Sequence, residues 1–256
     1  MEIWTVANQK GGVGKTTSTV TLGGLLAAQG KRVLLIDTDP HASLTYYFGI
    51  DSEELEVSVF DIFSRGKTME AEEILQALCP SRVENLDILP ATMAIATLDR
   101  SLGKKSGMGL ILRKALEKIE GEYDIAILDC PPVLGVLMVN ALAACNKVLI
   151  PVQTEFLALK GLDRMMRTME LMQSSQNKNY NFTIVPTMYD KRTKASLEAY
   201  KKLRALYGER VWPGVIPVDT KLRDASLAMQ APHVYCPKSR GVFAYNSLLD
   251  FLQGGK

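Results

Sequence analysis

The chain has 256 residues, 30 basic and 28 acidic side chains, a net charge of +2 and 47% hydrophobic residues, enough for one large α/β domain, 1–256, with a full core. So balanced a charge argues neither for nor against a nucleic-acid partner, and any basic surface must be local. Cys79, Cys130, Cys145 and Cys236 lack paired metal spacing, which with only His41 and His233 speaks against zinc; the lack of a run of about 18 apolar residues or of a basic-then-apolar leader points to a cytoplasmic protein with reduced thiols and no membrane insertion.

Taken in order, Ile3–Ala7 is a short apolar and β-branched run that predicts a first strand, and Thr16 to Gln29 carries helical spacing through Val20, Leu22, Leu25, Leu26 and Ala27. Between them stands Asn8-Gln9-Lys10-Gly11-Gly12-Val13-Gly14-Lys15-Thr16-Thr17. In a phosphate-binding loop, G-x-x-x-x-G-K-[ST], backbone N–H groups wrap the phosphates, the lysine reaches the terminal phosphates and the hydroxyl holds Mg²⁺. Gly14, Lys15 and Thr16 complete that pattern, but Gln9 occupies the first glycine position, and Gly11 and Gly12 follow an additional lysine, Lys10. The loop is a deviant one, made specific by its place between a strand and a helix.

Further strands are predicted at Arg32–Ile36, Leu86–Leu89, Ile125–Leu128, Lys147–Val152, Phe182–Pro186 and Val211–Ile216, with helical patterns between most of them and a polar loop over Ser174–Asn179. This alternation predicts an α/β fold of the P-loop NTPase type: a single doubly wound, mostly parallel sheet with helices on both faces, whose ligands bind beyond the carboxyl ends of the strands. Two strands run directly into acids on that rim, in Asp37-Thr38-Asp39-Pro40 and Asp129-Cys130-Pro131-Pro132. A magnesium nucleoside triphosphate needs a hydroxyl on the metal, an acid facing the metal or its waters, and a group that positions attacking water. Thr16, Asp129 and Asp39 fit those roles in that order, with Asp37 as the partner of the magnesium waters. An aspartate after a strand is also a common cap or turn former; the combination with the loop singles these out.

Lys10 to Thr17, Leu35-Ile36-Asp37-Thr38-Asp39-Pro40 and Leu128-Asp129-Cys130-Pro131-Pro132 resemble the three signature motifs of the ParA/MinD superfamily of partition and positioning ATPases. The resemblance covers nearly the whole chain, through Pro151–Glu155, Thr187–Thr193 and Ile216-Pro217. It is closest to ParA proteins without an N-terminal helix-turn-helix domain, and Ser106–Leu110 and Pro217–Lys221 resemble the branch that positions chemotaxis arrays at cell poles. The resemblance implies ATP and Mg²⁺ as cofactors, a homodimer around two nucleotides, slow hydrolysis stimulated by a cargo adaptor, and a matrix of non-specific DNA or a polar scaffold, at the nucleoid or the cell pole. Lys10 would then cross the dimer interface to the partner's nucleotide, a cation delivered in trans as an arginine finger is. Lys10, Lys15 and Asp39 are the implied catalytic residues. Lys10, Gly11, Gly12, Val13, Gly14, Lys15, Thr16 and Thr17 would hold the phosphates, and Pro217 and Asp219 the adenine. At the last position the family often has Asn; a carboxylate can accept a hydrogen bond from the adenine amino group but cannot donate one. His41 stands where ParA proteins commonly have Gln and reads as a loop residue.

Basic residues gather late, as Lys191, Arg192 and Lys194, then Lys201, Lys202 and Arg204, then Lys221 and Arg223, then Lys238 and Arg240. Arg192, Lys221 and Arg223 are the candidates for DNA contact that the resemblance suggests, although such groups are often only the solvated face of a helix. The methionines of Arg164–Met172 read as a core face, with a partner-docking face as the alternative. Val242 to Leu252 is amphipathic but has no basic residue until Lys256, which argues against a MinD-type membrane-targeting helix. A MinD-like membrane-cycling regulator is the second reading. A reductase of the nitrogenase iron-protein type is the third, and it would need two correctly placed cysteines, a spacing that Cys79 and Cys130 do not show.

Overall fold

The computed structural model describes residues 1–98, 108–176 and 179–255. Among these residues seven strands form one sheet: β1 Glu2–Val6, β2 Val33–Asp37, β3 Cys79–Pro80, β4 Leu86–Leu89, β5 Ile125–Asp129, β6 Lys147–Gln153 and β7 Asn181–Thr187. Their order is β3-β4-β2-β5-β1-β6-β7, and every pairing is parallel except β3 with β4. β2 and β5 are buried at every position, as parallel strands covered on both faces must be. The strand period of two then divides their side chains. Leu34, Ile36, Ala126 and Leu128 enter one core, and Val33, Leu35, Ile125 and Ile127 enter the other.

The sheet brings the motifs together through its register. Val6 and Asp37 both pair with Asp129, so β1, β5 and β2 end abreast and release the loop and the two acidic turns side by side. Helix α1, Lys15–Ala28, follows the loop and packs with the Arg240–Leu252 helix on the second core, where Ser18 Oγ and Tyr245 Oη share a hydrogen bond of 2.8 Å.

The methionine segment is core as expected: Met165, Met169 and Met172 are buried on the long Phe156–Gln176 helix. That helix runs into the stretch expected to be a loop, of which Asn177 and Lys178 lie outside the described residues. Of the Ser106–Leu110 segment, Ser106 and Gly107 also lie outside them; Met108–Leu110 is a 3₁₀ turn. The expected strand at Val211–Ile216 does not form. Only isolated bridges join Val211 to Ile184 and Pro217 to Tyr189, because Pro213 and Gly214 break the ladder between them. The two-residue β3 was not anticipated, being too short to leave a periodic signal. Replacing the fully buried Leu35 with Ala should cost about 2–5 kcal/mol of stability, read as a fall in the midpoint of chemical denaturation.

Candidate functional site

The loop after β1 turns through two left-handed residues, Gly12 at φ +73° and Gly14 at φ +90°, where a side chain would be strained by roughly 1–2 kcal/mol. Gly14 caps α1 without a side-chain bond, and the first turn contains no acid. The leading N–H groups of a 14-residue helix are thus left without a side-chain acceptor at the positive end of its dipole, an arrangement suited to an anion. Val13 is buried behind the loop, its carbonyl accepting from Thr187 Oγ1 at 2.9 Å. Gly11, Gly12, Gly14, Lys15, Thr16 and Asp39 wall a cavity of about 610 Å³, which also touches Thr17. Lys15 is buried, forms no ion pair among the described residues, and reaches only the Lys10 carbonyl, at 3.4 Å. A buried ammonium with one weak hydrogen bond and only the longer-range attraction of Asp129 is placed to take an anion entering the cavity.

Beneath this loop lie the acids. Thr16 Oγ1 donates to Asp129 Oδ2 at 2.5 Å, while the buried Asp129 Oδ1 has no hydrogen-bond partner among the described residues. Burial first, then repulsion from Asp37, pushes the Asp129 carboxyl up to about 8. Asp37 is fully buried as well, and burial raises it to about 6. Its oxygens are occupied in holding the next turn: Oδ1 accepts from the Asp39 N–H at 3.0 Å, and Oδ2 from the Thr45 N–H and hydroxyl at 2.9 and 2.8 Å. Asp39 faces the cavity, with Oδ1 accepting from the His41 N–H at 3.0 Å and the His41 Nδ1 2.8 Å away. His41 is therefore a loop residue that also grips the acid beside it.

Lys10 is not on the cavity wall. Its ammonium pairs with Glu155 on the rim beyond β6, its N–H donates to Asn8 Oδ1 at 3.1 Å, and Gln9 Nε2 donates to Thr168 Oγ1 at 2.6 Å. The front half of the loop is thus docked along the Phe156–Gln176 helix, where a Cβ on Gly161 would stand 3.2 Å from Lys10 Cβ. A second cavity of about 330 Å³ adjoins the first through Gly14, Thr17, Met188 and Ser226; Ile216, Pro217, Asp219 and Arg223 wall it.

Of the surface candidates, Arg192 is exposed but clasps Asp190 through Nε at 2.9 Å and a second nitrogen at 2.7 Å, holding that acid down at about 2. Lys221 is exposed at the start of its helix, and Arg223 belongs to the second cavity's wall. Thr45, Glu155, Gly161 and Thr168 escaped the sequence reading. Only Glu155 left a signal, a charge just past the carboxyl end of an apolar strand. Cys130 is fully buried and Cys79 lies half-buried on the edge strand β3. The Arg240–Leu252 helix buries Val242, Tyr245, Leu248, Leu249 and Leu252, which commits its apolar face to the protein, and among the described residues no helix is long and apolar enough to cross a membrane.

A chain with this sheet, this loop and acids at these strand ends has the architecture of a P-loop ATPase. The AAA domain family matches residues 1–183. Sporulation initiation inhibitor protein Soj of Bacillus subtilis is 37% identical over 248 residues, covering 96% of each chain. Chromosome partitioning protein ParA of Caulobacter vibrioides is 37% identical over 251 residues, 97% of this chain and 92% of that one. The chain belongs to the AAA domain family, within the ParA/MinD superfamily. Among solved structures, a cobyrinic acid a,c-diamide synthase from Mycobacterium smegmatis with bound ATP analog and magnesium aligns at TM-score 0.85 and 34% identity, covering 99% of this chain and 94% of that one. A Cyanothece McdA–ATP complex, at TM-score 0.86 and 21% identity over 100% and 97%, shares the fold.

Asp129 and Asp37 hold their protons to higher pH in the folded chain than in the unfolded one. The native state therefore binds more protons across that range, and stability falls as pH rises. The melting temperature of the free protein should drop between about pH 5 and pH 8, and Asp129→Asn should flatten the drop. Melting curves that rise over this interval would contradict the assignment.

Proposed function

We propose that the chain is a ParA-like ATPase that binds ATP and Mg²⁺, dimerises around two nucleotides and positions a cellular cargo through a hydrolysis cycle. The observation that carries this reading is the pair formed by Thr16 and Asp129, a hydroxyl and a buried carboxyl group 2.5 Å apart with one oxygen lacking any partner among the described residues. No three His, Cys, Asp or Glu residues form a metal cage among the described residues. One hydroxyl and one carboxylate instead fit a small divalent ion that arrives on nucleotide phosphates and keeps waters in its shell. Bound there, Mg²⁺ would neutralise charge on the phosphate oxygens.

The chain's own groups account for the remaining chemistry. Lys15 and the α1 N-terminus bind the phosphates. Asp39 orients water, with Asp37 fixing the turn that carries it, and the adjoining cavity takes the base. Lys10 acts across the dimer once it leaves Glu155. The relative named for chromosome partitioning supports the cargo-positioning role. Non-specific DNA, held through Lys221, Arg223 and Arg192, or a polar scaffold is the matrix, a cargo adaptor stimulates otherwise slow turnover, and the nucleoid or pole is where the dimer persists. Pairing two subunits doubles the phosphate contacts, each of which adds about −0.9 to the slope of log affinity against log salt. Dimerisation thereby becomes a DNA-binding switch.

Lys15→Ala should abolish nucleotide binding. Asp39→Ala should keep it while slowing hydrolysis by roughly 10²-fold or more, and should elute as a dimer with ATP and a monomer with ADP in size-exclusion chromatography. Lys10→Ala should bind ATP yet remain monomeric. Normal turnover by Asp39→Ala would remove its catalytic role, and an ATP-insensitive affinity for random duplex DNA would remove the switch.

A further inference from the structure

The main chain of the turn that carries Asp39 is held from both sides. The Asp39 N–H donates to Asp37 Oδ1 at 3.0 Å, and the Asp39 carbonyl accepts from the Ala42 N–H at 2.8 Å. Ala42 is buried and left-handed, at φ +51°, a conformation that costs an alanine free energy and persists only where its surroundings dictate it. Its carbonyl accepts from the Tyr46 N–H at 2.9 Å, which ties the turn to the Ser43–Tyr47 helix. The side chain of Asp39 is held by different means. Both of its donors come from His41, the backbone N–H at 3.0 Å and the ring Nδ1 at 2.8 Å, and both reach the same oxygen, Oδ1. An ionised carboxylate only accepts, so the ring presents Nδ1–H. Oδ2 takes no hydrogen bond among the described residues. The last torsion of an aspartate is soft, and a single N–H bond leaves the carboxylate free to swing about it. A second donor, arriving from the ring, sets its plane. The imidazole is 81% exposed and the acid 13%, and of the two only Asp39 walls the cavity. A contact so open to water contributes little to stability; what it fixes is a direction.

We propose that His41 is a positioning residue for hydrolysis: its ring, bonded to Oδ1, sets the plane of the Asp39 carboxylate and so presents Oδ2 to water in the cavity. This rests on the reading of Asp39 as the group that orients the attacking water. Water held by a swinging acceptor spends little of its time in line with the phosphorus, and a displacement of about 1 Å in a reacting group can lower a rate by about 10²-fold. His41 stands off the cavity wall and acts only through Asp39.

The test measures kcat and KM for ATP at saturating Mg²⁺ in the wild-type chain, His41→Ala, His41→Asn and His41→Leu, with single-turnover assays to follow the slow variants. Ala keeps the backbone donor and loses only the ring; it should lower kcat about three- to tenfold and leave KM and the ATP dissociation constant within about twofold. Asn carries an N–H donor at the same δ position and should restore at least about half of the wild-type kcat, whereas Leu, with bulk but no donor, should behave as Ala does. Each melting temperature should stay within about 2 °C of the wild type. The factor lost in His41→Ala should vanish when Asp39 is already Ala, because no carboxylate is then left to aim. Wild-type kcat in His41→Ala, equal rates in the Asn and Leu variants, or an undiminished factor in the Asp39→Ala background overturns the proposal while leaving the nucleotide site standing. Wild-type turnover by Asp39→Ala alone overturns the reading on which it rests.

Discussion

A desolvated carboxylate with one empty hand governs the rim of this molecule. Asp129 sits at the end of β5 because the strand is a continuous apolar run whose last residue is an acid, and it is buried because β1 and β2 close over it on both sides. In-register strand ends then place Asp37 beside it; burial above all pushes both carboxyls up, and repulsion from Asp37 adds to the shift at Asp129. A fold maximising its own stability would place neither group there. The arrangement makes physical sense as a site kept incomplete within the chain, in which the loop supplies donors and positive charge above while the acids below keep an oxygen, Asp129 Oδ1, unpartnered among the described residues.

Much of this was written plainly in the sequence. Four of the seven expected strands correspond closely to observed ones, and β1 and β2 are each displaced by a single residue, because Val-Leu-Leu-Ile and its like can be neither amphipathic helix nor surface loop. The strand expected at Val211–Ile216 failed for a local reason: apolar content suggested a ladder that Pro213 and Gly214 cannot continue. The loop and the acidic turns were legible because their chemistry is compressed into adjacent residues. What could not be read was the environment that long-range contacts create. Nothing near Asp37 announces that Thr45 will take up its second oxygen, and nothing in Lys10 predicts Glu155, 145 residues away.

The two lysines show how environment separates identical side chains. Lys15 is buried at the cavity without an ion pair among the described residues, attracted by Asp129 from further off, and Lys10, five residues earlier, is satisfied by Glu155 on the opposite flank. Gln9 and Thr168, with the absence of a side chain on Gly161, seat the front of the loop on the Phe156–Gln176 helix. The loop is therefore two mechanical pieces, one fixed to the helix it starts and the other resting on a different helix that carries exposed Phe156 and Leu157.

The family match ends at residue 183, but the physical unit has no seam there. Tyr245 reaches back to Ser18 one turn into α1, and the closing helix shares a core with that same helix. Asp219 ties into this brace through Gly241. The segment beyond the family match thus acts as the anvil against which the first twenty residues are shaped: α1 is held from behind, and the Asp219 turn from the side, by one and the same terminal helix.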